Sequence, residues 1–213
     1  MINLIIRIYR RILGAIRALK MTFVKKSVCS QVTLEGKEHQ FSLKSRVCLF
    51  NGANKTNIIL KHHSEMFGSL VAYGSGQIIM DEWSKIGENS SIICTNKVYI
   101  GKDTAIASGV TIIDNNTHPT NANDRRYMRH TPHGSLERSN IWAASSEIYI
   151  GENVWIGSDV RICKGVKIGD NAIIAACSVV TKDVPANSIA AGNPARIVKE
   201  NYDENTQSIF PLK

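Results

Sequence analysis

The chain has no hydrophobic run long enough to cross a bilayer, no CxxC pair, and no acidic residue before Glu35. Each absence excludes something. A spanning helix needs about 20 mostly apolar residues, and in residues 1–20 an arginine intervenes every few positions. That stretch also lacks the clean apolar core and small-residue cleavage site of a secretory signal. The five cysteines (Cys29, Cys48, Cys94, Cys163, Cys177) are odd in number and lack metal-site spacing. They fit free thiols in a reducing cytoplasm better than a disulfide framework or a zinc site. The missing acids leave Arg7, Arg10, Arg11, Arg17, Lys20, Lys25 and Lys26 unopposed within residues 1–34. These account for most of the net charge of +8. The excess therefore points to an anionic surface met by one end of the molecule, and not to nucleic-acid binding throughout.

What is present is a period of six. From Ile150 to Pro185 the chain reads IGENVW, IGSDVR, ICKGVK, IGDNAI, IAACSV and VTKDVP without a break. Position one is Ile150, Ile156, Ile162, Ile168, Ile174 and Val180; position five is always small or β-branched. Six matches neither the 3.6 of a helix nor the 2 of a plain strand, so the segment is a repeat architecture. Three hexads make one triangular turn of a parallel β-helix, with the position-one aliphatics stacked inside. Upstream, Leu60, Met66, Ala72 and Ile78 are six apart, as are Met80, Ile86, Ile92 and Val98. The register then slips by two at Val98-Tyr99 and resumes as Ile100, Ile106 and Ile112, which an insertion at a prism corner would absorb.

Two segments fall outside the repeat. In residues 1–20, Ile5, Ile8, Ile12, Ile16 and Leu19 recur at three- and four-residue steps while the arginines fall largely elsewhere, giving a basic amphipathic helix. Such a helix suits the anionic inner face of a membrane or the base of an oligomer, and composition does not separate the two. Between Ile112 and Ile150 the text is polar, rich in Asn, Pro and Gly turns, and has no hexad phase. Flanked by regular coils, it reads as a loop thrown out from the prism; a long structureless loop inside a compact domain is uncommon unless it is functional or a disordered linker.

A prism wall has no pocket of its own, so chemistry needs this loop or a groove between neighbouring prisms. The loop carries His118, His130, His133, Asp114, Arg125, Arg126, Arg129, Arg138 and Trp142. His118 sits at the loop's root, where the scaffold can hold it, and imidazole is suited to taking a proton from a hydroxyl. Asp114, four residues earlier, could fix its tautomer or simply make a turn. Three loop histidines, with none in residues 150–185, make a poor zinc site.

The hexads, the His-bearing loop and the closing phrase VTKDVPANSIAAGNPARIV together resemble the hexapeptide-repeat acyltransferases over roughly residues 80–200. The resemblance implies a left-handed helix, a handedness that periodicity does not supply. It also implies a homotrimer with sites between subunits, acetyl-CoA as cosubstrate and no metal. Within the family the chain looks closest to sugar O-acetyltransferases, including those acting on sialic-acid capsules. That likeness makes His118 the catalytic base with Trp142 as its companion and Asp114 in support. It further implies CoA contacts from Ser158, Ala176, Thr181, Lys182, Arg196 and Lys199.

The expected fold is thus all-β: a left-handed parallel β-helix over 28–191 with an extruded catalytic loop at 113–147. A basic helix at 1–27 precedes it and a turn and tail at 192–213 follow. The expected function is acetyl transfer to a hydroxyl of a cell-surface or capsular glycan in the cytoplasm, with peripheral membrane contact through residues 1–20 as one option. A small sugar, nucleotide-sugar or antibiotic acceptor is the alternative, and a non-catalytic β-helix assembly protein a more distant one. The loop's wording differs from the galactoside and maltose enzymes, so acceptor identity does not follow from the resemblance.

Overall fold

A computed structural model describes residues 2–202; residues 203–213, part of the expected tail, lie outside the described residues. The position-one aliphatics are where the hexad reading puts them. Leu60, Met66, Ala72, Ile78, Met80, Ile86, Ile92, Ile100 and Ile112 are fully buried, as are Ile150, Ile156, Ile162, Ile168 and Ile174. They form one continuous column of apolar side chains down the axis. Around it the chain steps in order through three walls, and each strand pairs in parallel with the strand one coil later. The first and third walls have six strands each and the second has eight. The molecule is a left-handed parallel β-helix. Its tight coils are exempt from the right-handed preference of helix-bridged crossovers because, outside the long loop after Ile113, consecutive walls are joined by short turns and not by a packed crossover α-helix.

The corners show how a left-handed residue closes each turn. At the corner between the first and second walls, Glu38, His63, Trp83, Asp103, Asn153, Asn171 and Asn187 all adopt left-handed backbone, with φ between +53° and +63°. That conformation costs most L-residues about 1–2 kcal/mol, and Asn is the non-glycine residue that tolerates it best. The asparagines recover more by forming a ladder. Asn153 Nδ2 donates to Asn171 Oδ1 and Asn171 Nδ2 to Asn187 Oδ1, each at 2.9 Å. In the early coils a ring stack replaces the amides, His63 lying on Trp83 with centroids 3.7 Å apart.

Insertions sit at another corner. Leu60, Met80 and Ile100 are equivalent in successive coils, and so are Ile150 and Ile168, two residues closer in sequence. The extra pair falls between the third and first walls, at Thr95-Asn96, upstream of the slip expected at Val98-Tyr99. Val98 and Ile100 lie on one strand, both pointing inward. The same corner, one coil later, releases the long loop: the third-wall strand ends at Ile113 and the first wall resumes at Ile148.

The N-terminal helix α1 (Ile2–Gln31) runs past the expected boundary at 27 because neither Gly nor Pro interrupts it after Gly14. Its C-terminal end plugs the prism, with Val28 and Val32 buried in the open mouth and joined to the core. The far end closes differently. Ile189–Gly192 joins the second wall and Ala195–Lys199 folds back on it antiparallel, so the expected tail begins with a strand.

The ladder makes a specific prediction. Asn171→Leu should lower stability by about 2–3 kcal/mol, adding left-handed strain to two lost hydrogen bonds, whereas Asn171→Gly should cost less than about 1.5 kcal/mol. Denaturant unfolding of the two variants checks the order; equal losses would mean that backbone conformation does not govern this corner.

Candidate active site

The loop's root is built like a clasp. Asn115 bridges Ser145, Ser146 N–H donates to the Asp114 carbonyl, and Asn116 N–H to the Ala144 carbonyl. Asp114 is fully buried at the corner and its carboxylate is spent there. It accepts from the Thr95 amide (2.9 Å) and the Asn96 amide (2.7 Å), so it closes the turn of the preceding coil. Burial first, and then this carboxylate 3.2 Å away, push the Cys94 thiol far above its usual range, so Cys94 is a neutral core residue.

This corrects the expected link between Asp114 and His118, since the carboxylate does not reach the imidazole. The connection is indirect. Asn115 Nδ2 donates to Asp114 Oδ1 (3.0 Å), and Asn115 Oδ1 accepts from the Thr117 amide (2.8 Å). Thr117 stands at φ +63°, an uncommon conformation for a β-branched residue, held by that bond. Its hydroxyl donates to the Asn116 carbonyl (2.6 Å) and lies 3.1 Å from His118 Nδ1. A hydroxyl has one proton to give. Since that proton goes to Asn116, the Thr117 oxygen accepts from His118, which places the ring proton on Nδ1 and leaves the Nε2 lone pair free. Thr117, which the sequence reading passed over, orients the histidine.

Beyond His118 the loop is more ordered than its polar text suggested. A helix α2 (Ala122–His130) starts at Asn121, whose side chain accepts from the amides of Asn123 and Asp124. Only Met128 of this helix is buried, so there was too little apolar periodicity to reveal it. Arg125 binds the carbonyls of Pro119 and Thr120, tying the helix to the segment after His118. Arg138 donates to the carbonyls of Met128 (3.0 Å) and Arg129 (2.8 Å), a cation at the helix C-terminus where the dipole favours one. The loop then turns back along the prism, where Ser139 Oγ donates to Asn51 Oδ1 (2.6 Å).

Between loop and prism lies a cavity of about 810 Å³ with His118 on its wall. Arg125, Arg129, Arg138 and His133 also line it, and among the described residues no carboxylate does. Its prism side includes Phe50 and Tyr73, stacked with centroids 5.0 Å apart. These two aromatics escaped the sequence reading. Their signal is a shared register, since they pair as outward residues of adjacent strands, but nothing in the hexad code marks it.

The other expected residues are more dispersed. Trp142 is exposed and is not on the cavity wall; its indole N–H donates to the Leu136 carbonyl (2.8 Å), so the ring face is what it has to offer. Ser158 and Ala176 are both exposed, in adjacent coils, at the corner between the second and third walls. Thr181 and Lys182 are exposed at the opposite edge of the third wall, on the corner that also releases the loop. Arg196 and Lys199 are exposed on the final antiparallel strand. One chain therefore does not gather these six residues into one site. Among the described residues no three His, Cys, Asp or Glu side chains form a group able to hold a metal.

Residues 147–182 match the model of the bacterial transferase hexapeptide (six repeats). The chain is 35% identical over 146 residues to a galactoside O-acetyltransferase of Escherichia coli, covering 62% of this chain and 71% of that one. The chain belongs to the hexapeptide-repeat acyltransferases. It is an O-acetyltransferase of that family. A second Escherichia coli relative, a putative lipopolysaccharide biosynthesis O-acetyltransferase, is 34% identical over 65% of this chain and 67% of its own length. Among solved structures, the polySia-specific acetyltransferase NeuO has the same fold, with a TM-score of 0.59 at 24% identity over 85% of this chain and 86% of its own. AntD, an N-acyltransferase from Bacillus cereus, superposes with a TM-score of 0.64 at 16% identity, covering 82% and 86%.

The tautomer assignment is open to direct measurement. Ring ¹⁵N spectra should show His118 as the Nδ1–H form at alkaline pH, and Thr117→Val should return it to a mixture while Thr117→Ser keeps it. An Nε2–H form in the native protein would remove Thr117 from this role. Separately, Asp114→Ala should cost about 2–4 kcal/mol by leaving two corner amides unpaired, which thermal or denaturant unfolding will report.

Proposed function

We propose that this chain transfers an acetyl group from acetyl-CoA to a hydroxyl of an anionic cell-surface or capsular glycan, sialic-acid polymers among them. One observation carries the reading: His118, its Nε2 lone pair free, stands in a cavity that arginines line and to which no carboxylate of the described residues contributes. A glycan hydroxyl held in that cavity gives its proton to His118 Nε2 as its oxygen attacks the thioester carbonyl. Collapse of the tetrahedral intermediate breaks the carbon–sulfur bond, and His118 returns the proton to the departing thiolate. A base so placed contributes about 10²–10⁴-fold. The stacked Phe50 and Tyr73 offer an apolar face to a sugar ring, and Arg129 meets its carboxylate as a charge-assisted donor.

Lys182 shares the corner from which the loop emerges, which supports a cofactor path along that edge toward His118. In this reading Ser158 and Ala176 contact the pantetheine arm, and Thr181, Lys182, Arg196 and Lys199 serve the polar and phosphate end. Their spread over separate edges of one prism supports a homotrimer in which neighbouring chains complete each site, with Trp142 shaping the acetyl end through its exposed ring.

His118→Ala should remain folded and bind CoA while losing about 10²–10⁴-fold in kcat, measured by thiol release. Near-normal turnover would remove the mechanism. Across a panel of acceptors, a carboxylated glycan should exceed its neutral analogue in kcat/KM by about tenfold or more, and Arg129→Gln should abolish the difference. A preference for neutral small sugars or an antibiotic would overturn the acceptor assignment.

A further inference from the structure

Helix α1 has far more surface than its packing uses. Val28 is buried in the prism mouth and Val24 is partly buried against the core, but every described side chain from Arg10 to Lys20 is exposed. Ile12, Ile16, Leu19 and Phe23 are exposed large apolar residues, at 52%, 45%, 59% and 65%. The side chains of Ile5 and Ile8, expected in the same stripe, lie outside the described residues.

At 100° per residue, Tyr9, Ile12, Ile16, Leu19 and Phe23 fall on one stripe, and Arg7, Arg10, Arg11 and Arg17 lie on the other side. Val24 and Val28 sit about a third of a turn round from that stripe. Docking α1 on its own prism therefore leaves the stripe uncovered.

We infer that α1 lies flat on an anionic lipid bilayer, with the Tyr9–Phe23 stripe inserted and the arginines at headgroup level. Charge selects this occupant over further copies of the chain. Residues 1–34 carry seven cations and no acid, so a second copy of this helix offers them no carboxylate to pair with. An anionic surface instead attracts each cation near it by about 1 kcal/mol. Among the described residues no helix is long and apolar enough to cross a membrane, so the contact is interfacial. The base of α1 packs on the strand Arg46–Phe50, whose Phe50 lines the cavity. The docking itself does not depend on the proposed activity.

The full-length protein is sedimented with vesicles of phosphatidylcholine alone or with about a third phosphatidylglycerol. Binding is expected only to the anionic vesicles, and high salt should weaken it. Ile16→Asp with Leu19→Asp, and separately Arg10→Glu with Arg17→Glu, should each reduce it about tenfold or more. Light scattering should find the same oligomer in all three proteins, and their thermal unfolding should coincide because these side chains touch nothing in the prism. Equal binding to both vesicle types, or no binding, overturns the inference. So does an apolar-stripe variant that dissociates the oligomer yet sediments with vesicles as before.

Discussion

Everything in this molecule depends on the register of one coil upon the next. A side chain in a β-strand alternates between faces, so shifting a coil by a single residue would turn its core residues outward. The stack of buried aliphatics from Leu60 to Ile174 tolerates no such shift. Extra residues can enter only where the chain changes walls, because there the backbone can bulge without moving the strands on either side. The two-residue insertion at Thr95-Asn96 and the loop after Ile113 obey this constraint at the same corner of successive coils.

That corner explains why the candidate base is well placed. Asp114 occupies an inward, strand-end position and neutralises its burial by gathering the amides of the preceding turn. The rigidity of the prism then passes along Asn115 and Thr117 to His118, each step a hydrogen bond of 2.8–3.1 Å. An exposed loop histidine is ordinarily free to rotate; this one is tied through three neighbours to the buried edge of a sheet. The arginines play a different part. Arg125 and Arg138 hold the loop in shape through backbone carbonyls, whereas Arg129 contributes its carbonyl and, among the described residues, no side-chain bond to that scheme. It is the cation with most to offer a ligand.

How much of this could be read from the chain follows from the range of the interactions involved. The hexads are a local code repeated many times, so position one from Leu60 onward was legible, as was the loop that breaks the phase. The place of His118 at the loop's root was legible, and the family resemblance made it the candidate base. The partner of His118 was not, since a carboxylate four residues away is a plausible neighbour until the corner amides are seen to claim it. Phe50 and Tyr73 escaped for a similar reason: outward residues of an irregular early coil acquire meaning only when a loop some ninety residues later folds back over them. Helix α2 was hidden by its polarity, being held by a side-chain cap and a guanidinium more than by an apolar face.

The loop, the basic helix and the cavity are joined by one strand, Arg46–Phe50, which carries α1 on its length and Phe50 at its end. The central claim is that a corner insertion turns an inert prism into a catalyst by presenting His118 Nε2 to an acceptor. A crystal structure with CoA and a sialic-acid oligomer tests it most directly. The expected result is a sugar hydroxyl within about 2.6–3.2 Å of His118 Nε2, with Thr117 still on Nδ1. An acceptor bound elsewhere, with His118 facing solvent and no reacting group in reach, would contradict it.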